Sequence, residues 1–369
     1  MNPPGAKEAP IGRDDFAASF FRLADAQGTA DATFRILLAV SGGPDSAALM
    51  HAAAEWGRER PGTELTVATV DHRLRPVSGT EAEAVGIAAR ALGLDHRILT
   101  WARNRDGPVS QEAARRARYR LLCEAAAELG AGALVTAHTQ DDQAETLLIR
   151  MAAGSGLAGL AGMRPVTRWD GLAHHRPFLV FPKSRLVVTC RREGWAFVDD
   201  PSNADRRFAR ARWRRLMPAL ASEGLDAARL ARLADRMRRA DAALDAAVAG
   251  ALARCRMEPV GGAVTLGFRA LAAEPTEIAL RALGRALAVP EGSIQLRLER
   301  LETCLSALLE AAAEARPTRR TLAGRMLALD RAGTLTIAPE PRRSRGRATT
   351  LTVPAARTPH SLGIQGTRA

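Results

Sequence analysis

Cysteine is scarce in this chain, and the four that occur, Cys123, Cys190, Cys255 and Cys304, lie far apart with no CxxC pair and no histidine at zinc-ligand spacing. Such spacing argues against a zinc cage and predicts thiols rather than disulfides, in a reducing cytoplasm. Aromatic residues make up 4% of the sequence, so its cores must be helical and rich in small aliphatic side chains, alanine above all. Long apolar runs are missing as well. None approaches the roughly 20 residues that a membrane span requires, and no charged-then-apolar leader opens the chain. Lysine is nearly absent: Lys7 and Lys183 are the only two among 53 basic residues, so arginine carries the net charge of +13. A basic excess of that size favours polyanionic partners such as nucleic acid, although an arginine-rich coding bias would account for part of it.

What is present is a chain of 369 residues, long enough for one large α/β domain and a smaller partner. Met1 to Gly12 reads as a loose tail before a short helix at Phe16 to Ala24. Short apolar runs follow at Ile36 to Val40, Leu65 to Val70, His96 to Trp101 and Ala133 to Ala137. Between and after them come helical patterns at Ser46 to Trp56, Glu81 to Leu92, Gln111 to Leu129 and about Asp141 to Ala152. This alternation predicts an α/β fold with a doubly wound parallel sheet, whose ligands sit at the carboxyl ends of its strands. Beyond Gly154 loops dominate, up to a basic stretch that ends at Pro218. Helical spacing returns at Asp226 to Met257 and Ser293 to Ala315, and Thr321 to Leu329 with Thr334 to Ile337 reads as a hairpin. The expected organisation is a tail and short helix over 1–30 and a catalytic domain over 31–220. A mainly helical second domain with a small β unit then covers 221–340, and a basic disordered tail covers 341–369.

The segment Ser41-Gly42-Gly43-Pro44-Asp45-Ser46 follows the first apolar run and opens a helix. Two glycines let the backbone come close to a ligand, so its N–H groups can converge on phosphate at the positive helix end. Ser41 and Ser46 can add hydroxyl donors, and Asp45, a carboxylate beside bound phosphates, makes sense as a magnesium ligand. The plainer alternative is a strand-to-helix turn capped by Asp45 or Ser46. The chain has no GxxxxGK(S/T) segment, which machines that transfer a γ-phosphate normally need.

The loop resembles that of the PP-loop ATP pyrophosphatases, which hold the pyrophosphate of ATP and transfer AMP to a substrate oxygen. SGGxDS alone would also suit NAD, GMP or asparagine synthetases and tRNA thiolation enzymes. Further residues narrow the choice. Asp71-His72-Arg73-Leu74-Arg75-Pro76, Ala114-Arg115-Arg116-Ala117-Arg118-Tyr119 and Ala137-His138-Thr139-Gln140-Asp141-Asp142-Gln143-Ala144-Glu145-Thr146 occur in that order. They are followed by Gly154 to Gly162, Arg176-Pro177-Phe178, Asp200-Pro201-Ser202-Asn203 and an arginine cluster before Pro218. Over roughly Ile36 to Leu220 this ordered set is similar to the tRNA(Ile)-lysidine synthetase family. Two positions depart from the family pattern. Thr139 stands where a second histidine is common, and Ala211 where an asparagine is.

The resemblance implies an ATP- and magnesium-dependent ligase that joins L-lysine to the wobble cytidine of an isoleucine tRNA with a CAU anticodon, by way of an adenylated cytidine. Ser41, Gly42, Gly43, Pro44, Asp45 and Ser46 would hold ATP, with Asp45 and Glu145 as magnesium ligands. Asp142 and Glu145, three apart on one helix, would face the nucleotide crevice, with His138 at the strand end before them. His138 and Asp142 would position the substrates, and Asp142 suits the lysine ammonium. An acidic first helical turn is the plainer reading, and it is preferred for Asp141. Arg115 is chosen to contact ATP phosphate or the activated base. Arg118 stays open between site and surface, as does His72 between crevice and solvated loop. Gly154 to Gly162 either lines a substrate pocket or ends a helix. Arg207, Arg210, Arg212 and Arg214, interleaved with Phe208 and Trp213, suit RNA phosphates and bases, against the alternative of a solvated helix. The rival functions are a PP-loop tRNA thiolase and a catalytically silent RNA-binding protein. The oligomeric state is open, a dimer included.

Overall fold

The computed structural model describes residues 9–26, 33–73, 78–102, 111–169, 171–198, 209–260, 263–287 and 297–340. The chain forms two compact units, Met1–Ala247 and Val248–Ala369.

The first unit opens with helices α1 (Arg13–Ser19) and α2 (Phe21–Ala26). Strands and helices then alternate as β1 (Phe34–Ala39), α3 (Pro44–Arg58), β2 (Thr63–Asp71), α4 (Ser78–Ala91), β3 (Asp95–Thr100), α5 (Gln111–Leu129), β4 (Ala133–Thr136) and α6 (Gln140–Ala152). After α7 (Leu157–Leu160) come β5 (Val166–Trp169) and β6 (Leu172–His175), a 3-10 turn at Pro177–Val180, α8 (Lys183–Glu193), α9 (Ala209–Ser222) and the long α10 (Ala227–Cys255). The sheet order is β3-β2-β1-β4-β6-β5. Neighbours run parallel except β5, which returns antiparallel to β6.

Strand β1 shows why the sheet is wound on both faces. Ile36, Leu38 and Val40 pack with Leu49 and Trp56 of α3, Val85 of α4 and Leu186 of α8, whereas Leu37 packs with Leu134, Tyr119 and Leu122. Alternate residues point to opposite faces, so an unbroken apolar run must be covered twice. Full burial of each such leucine contributes roughly 1.5–3 kcal/mol.

Several expectations change. The short helix near Phe16 is two helices, and Phe16, Phe20 and Leu23 enter the core beside α3. Part of the supposed tail is pinned too: Ile11 is buried and its N–H donates to Thr189 Oγ1 at 2.8 Å. The region beyond Gly154 is not mainly loop, since β5, β6 and α8 extend and cover the sheet. Pro218 lies inside α9 rather than ending it.

The second unit contains β7 (Arg256–Val260), β8 (Ala263–Gly267), α11 (Phe268–Ala272), α12 (Thr276–Ala286), α13 (Leu298–Ala313), β9 (Thr318–Leu322), β10 (Arg325–Leu329) and β11 (Thr334–Pro339). Its five strands form an antiparallel sheet in the order β7-β8-β11-β10-β9. Strand content is therefore larger than the helical spacing suggested, and Met257 belongs to β7 rather than to the preceding helix. Thr321 to Leu329 is not one strand. Ala323 (φ 51°) and Gly324 (φ 73°) turn the chain between β9 and β10, as a two-residue hairpin loop requires. The division between the units falls inside α10, after the composition changes near Leu220.

Candidate active site

Strands β1 and β4 are neighbours at the centre of the sheet, but the chain leaves β1 toward β2 and leaves β4 toward β6. That reversal opens a crevice at their carboxyl ends, where a doubly wound sheet binds its ligands. The glycine loop leaves β1 there, and His138 with the start of α6 follows β4.

In the loop, Gly42 has φ 87°, and a Cβ there would meet Val85 Cγ2 at 3.3 Å. Gly43 is the N-cap of α3 and Pro44 occupies its first turn, where a missing N–H costs nothing. The Ser46 hydroxyl donates to the Gly43 carbonyl at 3.0 Å and accepts the Ser41 N–H at 3.2 Å. One side chain thus ties both ends of the turn together. Asp45, one residue earlier, places Oδ2 2.9 Å from Lys183 Nζ at the start of α8. Its Oδ1 is buried with no hydrogen-bond partner. Burial raises the Asp45 pKa, Lys183 opposes that rise, and the carboxylates of Asp142 and Asp141 add to it.

Helix α6 starts with a capping box. Thr139 Oγ1 accepts the Asp142 N–H at 3.3 Å, while Asp142 Oδ2 accepts the Thr139 N–H at 2.9 Å and its hydroxyl at 3.0 Å. The threonine that departs from the family pattern therefore has a job, holding Asp142 in place. Burial works to raise the Asp142 pKa, but the bonds from the Thr139 N–H and hydroxyl and the charge of Arg210 bring it below the usual range. Asp141 turns to α8 and accepts the Lys183 N–H at 2.7 Å, a capping role.

Glu145 is almost fully buried and takes a two-pronged bond from Arg214, Nε to Oε1 at 2.8 Å and Nη2 to Oε2 at 3.2 Å. Burial still leaves its pKa raised, against the pull of Arg214. Both oxygens assigned to magnesium are thus on a guanidinium. Arg214, assigned to RNA, instead holds Glu145, and Asp142 and Asp45 add to its proton affinity. Arg210 turns the same way, as the four-residue spacing on α9 dictates, and its charge acts on His138, Asp142 and Glu145. Trp213 packs with Leu147, Leu148 and Leu230 rather than standing ready for a base. Arg212 is exposed. Arg207, Phe208 and Asp200-Pro201-Ser202-Asn203 lie outside the described residues.

Arg115 lies over the Tyr119 ring at 5.0 Å, and its charge lowers the proton affinity of His138 and Arg176. Arg118 donates to His72 Nε2 at 3.2–3.3 Å, and burial, with the charge of Arg118, brings His72 down to a pKa of about 4. The glycine-rich stretch after α6 is held from that helix. Arg150 donates to the carbonyls of Gly159 and Gly162, both at 2.9 Å, and Gln143 brackets the Met163 backbone. Among the described residues no group of three or more His, Cys, Asp or Glu side chains could hold a metal ion, and no helix is long and apolar enough to cross a membrane. None of the four cysteines is in a disulfide.

A family profile described as a PP-loop domain matches residues 17–220. A tRNA(Ile)-lysidine synthase of Methylobacterium nodulans is 53% identical over 341 residues, which cover 91% of this chain and 98% of that relative. The chain belongs to the tRNA(Ile)-lysidine synthase family. A lysidine synthase of a Bradyrhizobium species is 47% identical, over 84% of this chain and 92% of its own. A U34-tRNA thiolase, NcsA, from Methanococcus maripaludis shares the fold at a TM-score of 0.51 and 14% identity, covering 61% of this chain and 79% of that one.

Against this lysidine synthase background, the residue most clearly missed from the sequence is Lys183. Its signal was present: with only two lysines among 53 basic residues, a lysine stands out. The Glu145–Arg214 pair was missed because its members are 69 positions apart.

Proposed function

We propose that the protein ligates L-lysine to C2 of the wobble cytidine of an isoleucine tRNA with a CAU anticodon, converting ATP to AMP and pyrophosphate. The observation that carries this reading is the meeting of the glycine loop and the Thr139–Asp142 cap at the switch point between β1 and β4, close enough for Asp142 to act on Asp45. Family membership supplies the substrates.

In the first step O2 of the cytidine attacks the α-phosphorus of ATP and the bond to pyrophosphate breaks. The loop N–H groups from Ser41 to Ser46 hold the departing anion, and Arg115 balances charge on phosphate or on the activated base. In the second step the lysine ε-amine attacks C2, the C2–O2 bond breaks, AMP leaves with that oxygen, and the surplus proton passes to solvent. Asp142, fixed by Thr139, orients the incoming ammonium before it loses its proton.

Magnesium would supply charge neutralisation on the phosphates. Asp45 fits that role, because a buried carboxylate oxygen without a partner is what a cation would satisfy. Glu145 would join it only on releasing Arg214. Arg207 and Arg212 of the basic segment are proposed to meet tRNA phosphate, and the second unit to grip the acceptor arm or body of the tRNA.

A tRNA thiolase would need reactive cysteines or a CxxC-held cluster; the sequence has no CxxC pair, and burial raises the pKa of three of its four cysteines, Cys190 to about 11 and Cys255 and Cys304 in the same direction. The test is mass analysis of a CAU-anticodon isoleucine tRNA after incubation with ATP and lysine. A gain of one lysyl residue, with AMP and pyrophosphate released in equal amount, is expected. An unchanged tRNA mass, or no consumption of ATP, would overturn the reading.

A further inference from the structure

Behind His138 runs a chain of hydrogen bonds whose direction is fixed at its far end. Arg176 Nη2 lies 3.0 Å from His174 Nδ1. A guanidinium only donates, so His174 Nδ1 accepts and bears no proton. The ring is fully buried on β6, and burial with the charge of Arg176 brings its pKa to about 2, which keeps it neutral. Its single proton is therefore on Nε2 and is donated to Thr136 Oγ1 at 2.8 Å. The Thr136 oxygen could accept twice, but among the described residues the only other partner of its hydroxyl is His138 Nδ1, 2.7 Å away, and the hydroxyl proton is satisfied only by donating there. His138 Nδ1 must accept, and the proton of the neutral ring sits on Nε2. Arg176 is itself anchored, donating to the Arg164 carbonyl at 2.8 Å and to Thr167 Oγ1 at 3.1 Å.

The charges around His138 agree with a neutral ring. Arg115 on α5, Arg176 after β6 and Arg210 on α9 act against a cation, Asp142 on α6 acts for it, and burial outweighs them all, leaving a pKa of about 3. His174 on β6 is the neighbouring imidazole, with ring centroids 6.2 Å apart.

We propose that Arg176, His174 and Thr136 form a positioning relay that locks His138 in its Nε2–H form, so that His138 serves the reaction as a hydrogen-bond donor to oxygen and not as the base for the lysine amine. A donor held in one orientation suits an oxygen on which charge accumulates, such as one on the α-phosphate or on departing AMP. The identity of that oxygen rests on the proposed function. The locked form of the ring does not.

The relay is tested on the full-length protein labelled with 15N-histidine, by long-range proton–nitrogen correlation of the imidazoles, with His138→Gln assigning the His138 signals. At pH 7 the wild type is expected to show His138 and His174 both neutral and protonated on Nε2 alone. Thr136→Val ends the relay at a methyl group, so His138 should show mixed forms, and kcat should fall on the order of tenfold with little change in KM for ATP. Thr136→Ser restores the hydroxyl and should restore the wild-type spectrum. His138→Gln, whose amide can still donate, should keep more activity than His138→Ala. A wild-type His138 protonated on Nδ1, or charged, would overturn the relay without need of any variant; so would a wild-type pattern in Thr136→Val. A locked His138 in an enzyme that makes no lysidine would instead overturn the role given to the donor.

Discussion

Removing the charge from Asp45 separates what it costs from what it does. Its pKa is raised in the fold, so above that value the folded protein holds an ionised carboxylate that the unfolded chain hydrates better. Asp45→Asn should therefore melt no lower than wild type at neutral pH while losing ATP-dependent AMP release. Its advantage in Tm should shrink as pH falls toward the ordinary carboxylate range, where the wild-type group is protonated as well. Melting curves across pH, beside activity, check both halves. Glu145, whose pKa burial also raises against the pull of Arg214, carries the same sign, so Glu145→Gln should likewise melt no lower than wild type at neutral pH. At this scale the loop, the cap and the strand end that make up the candidate site were legible in the sequence, because each is local. Arg214 was legible as a cation but not as the partner of Glu145. An arginine-rich helix presents charge on every face, and only packing of Trp213 and Met217 against α6 decides which face turns inward.

The element that positions the chemistry is the first turn of α6. Thr139→Ala removes the hydroxyl that caps the helix and steadies Asp142, and it should cost about 1 kcal/mol in stability. Thr139→Ser should recover most of that, and because only the alanine variant loosens Asp142, its KM for lysine should rise as well. Equal lysine KM values in the two variants would disconnect the cap from the substrate. The alternating strands and helices up to α6 were legible because apolar runs and helical spacing exchange cleanly over residues 34–152. Helix α8 was not. Its eleven residues contain several arginines and one lysine, and only Leu186, Thr189 and Cys190 are buried, too few for a periodic signal. Strands β5 and β6 are four residues each, short enough to pass for loop.

For the whole molecule, the expected dependence is on salt. Each phosphate contact adds about 0.9 to the slope of log affinity against log salt on a duplex, and somewhat less on single strands. Arg319→Ala with Arg320→Ala, both exposed on the edge strand β9, should lower that slope for tRNA by roughly 1–2 and leave ATP binding unchanged. An unaltered slope would remove this strand from the tRNA-binding surface. Cutting the chain after Leu220 is a poor test of the second unit, because it would also strip Leu230 from α6 and Asp241 from Arg164. The change of composition at Leu220 was legible, but that a helix carries the first unit on to Ala247 was not, since one continuous amphipathic pattern covers both. The scarcity of lysine has a practical outcome for the intact protein. With Lys183 as one of only two side-chain amines, an amine-selective reagent becomes a reporter of the nucleotide cleft. Acetylation at that position, followed by peptide mass spectrometry, should slow when ATP is added and quicken in Asp45→Asn, which gives a readout of occupancy that needs neither tRNA nor turnover.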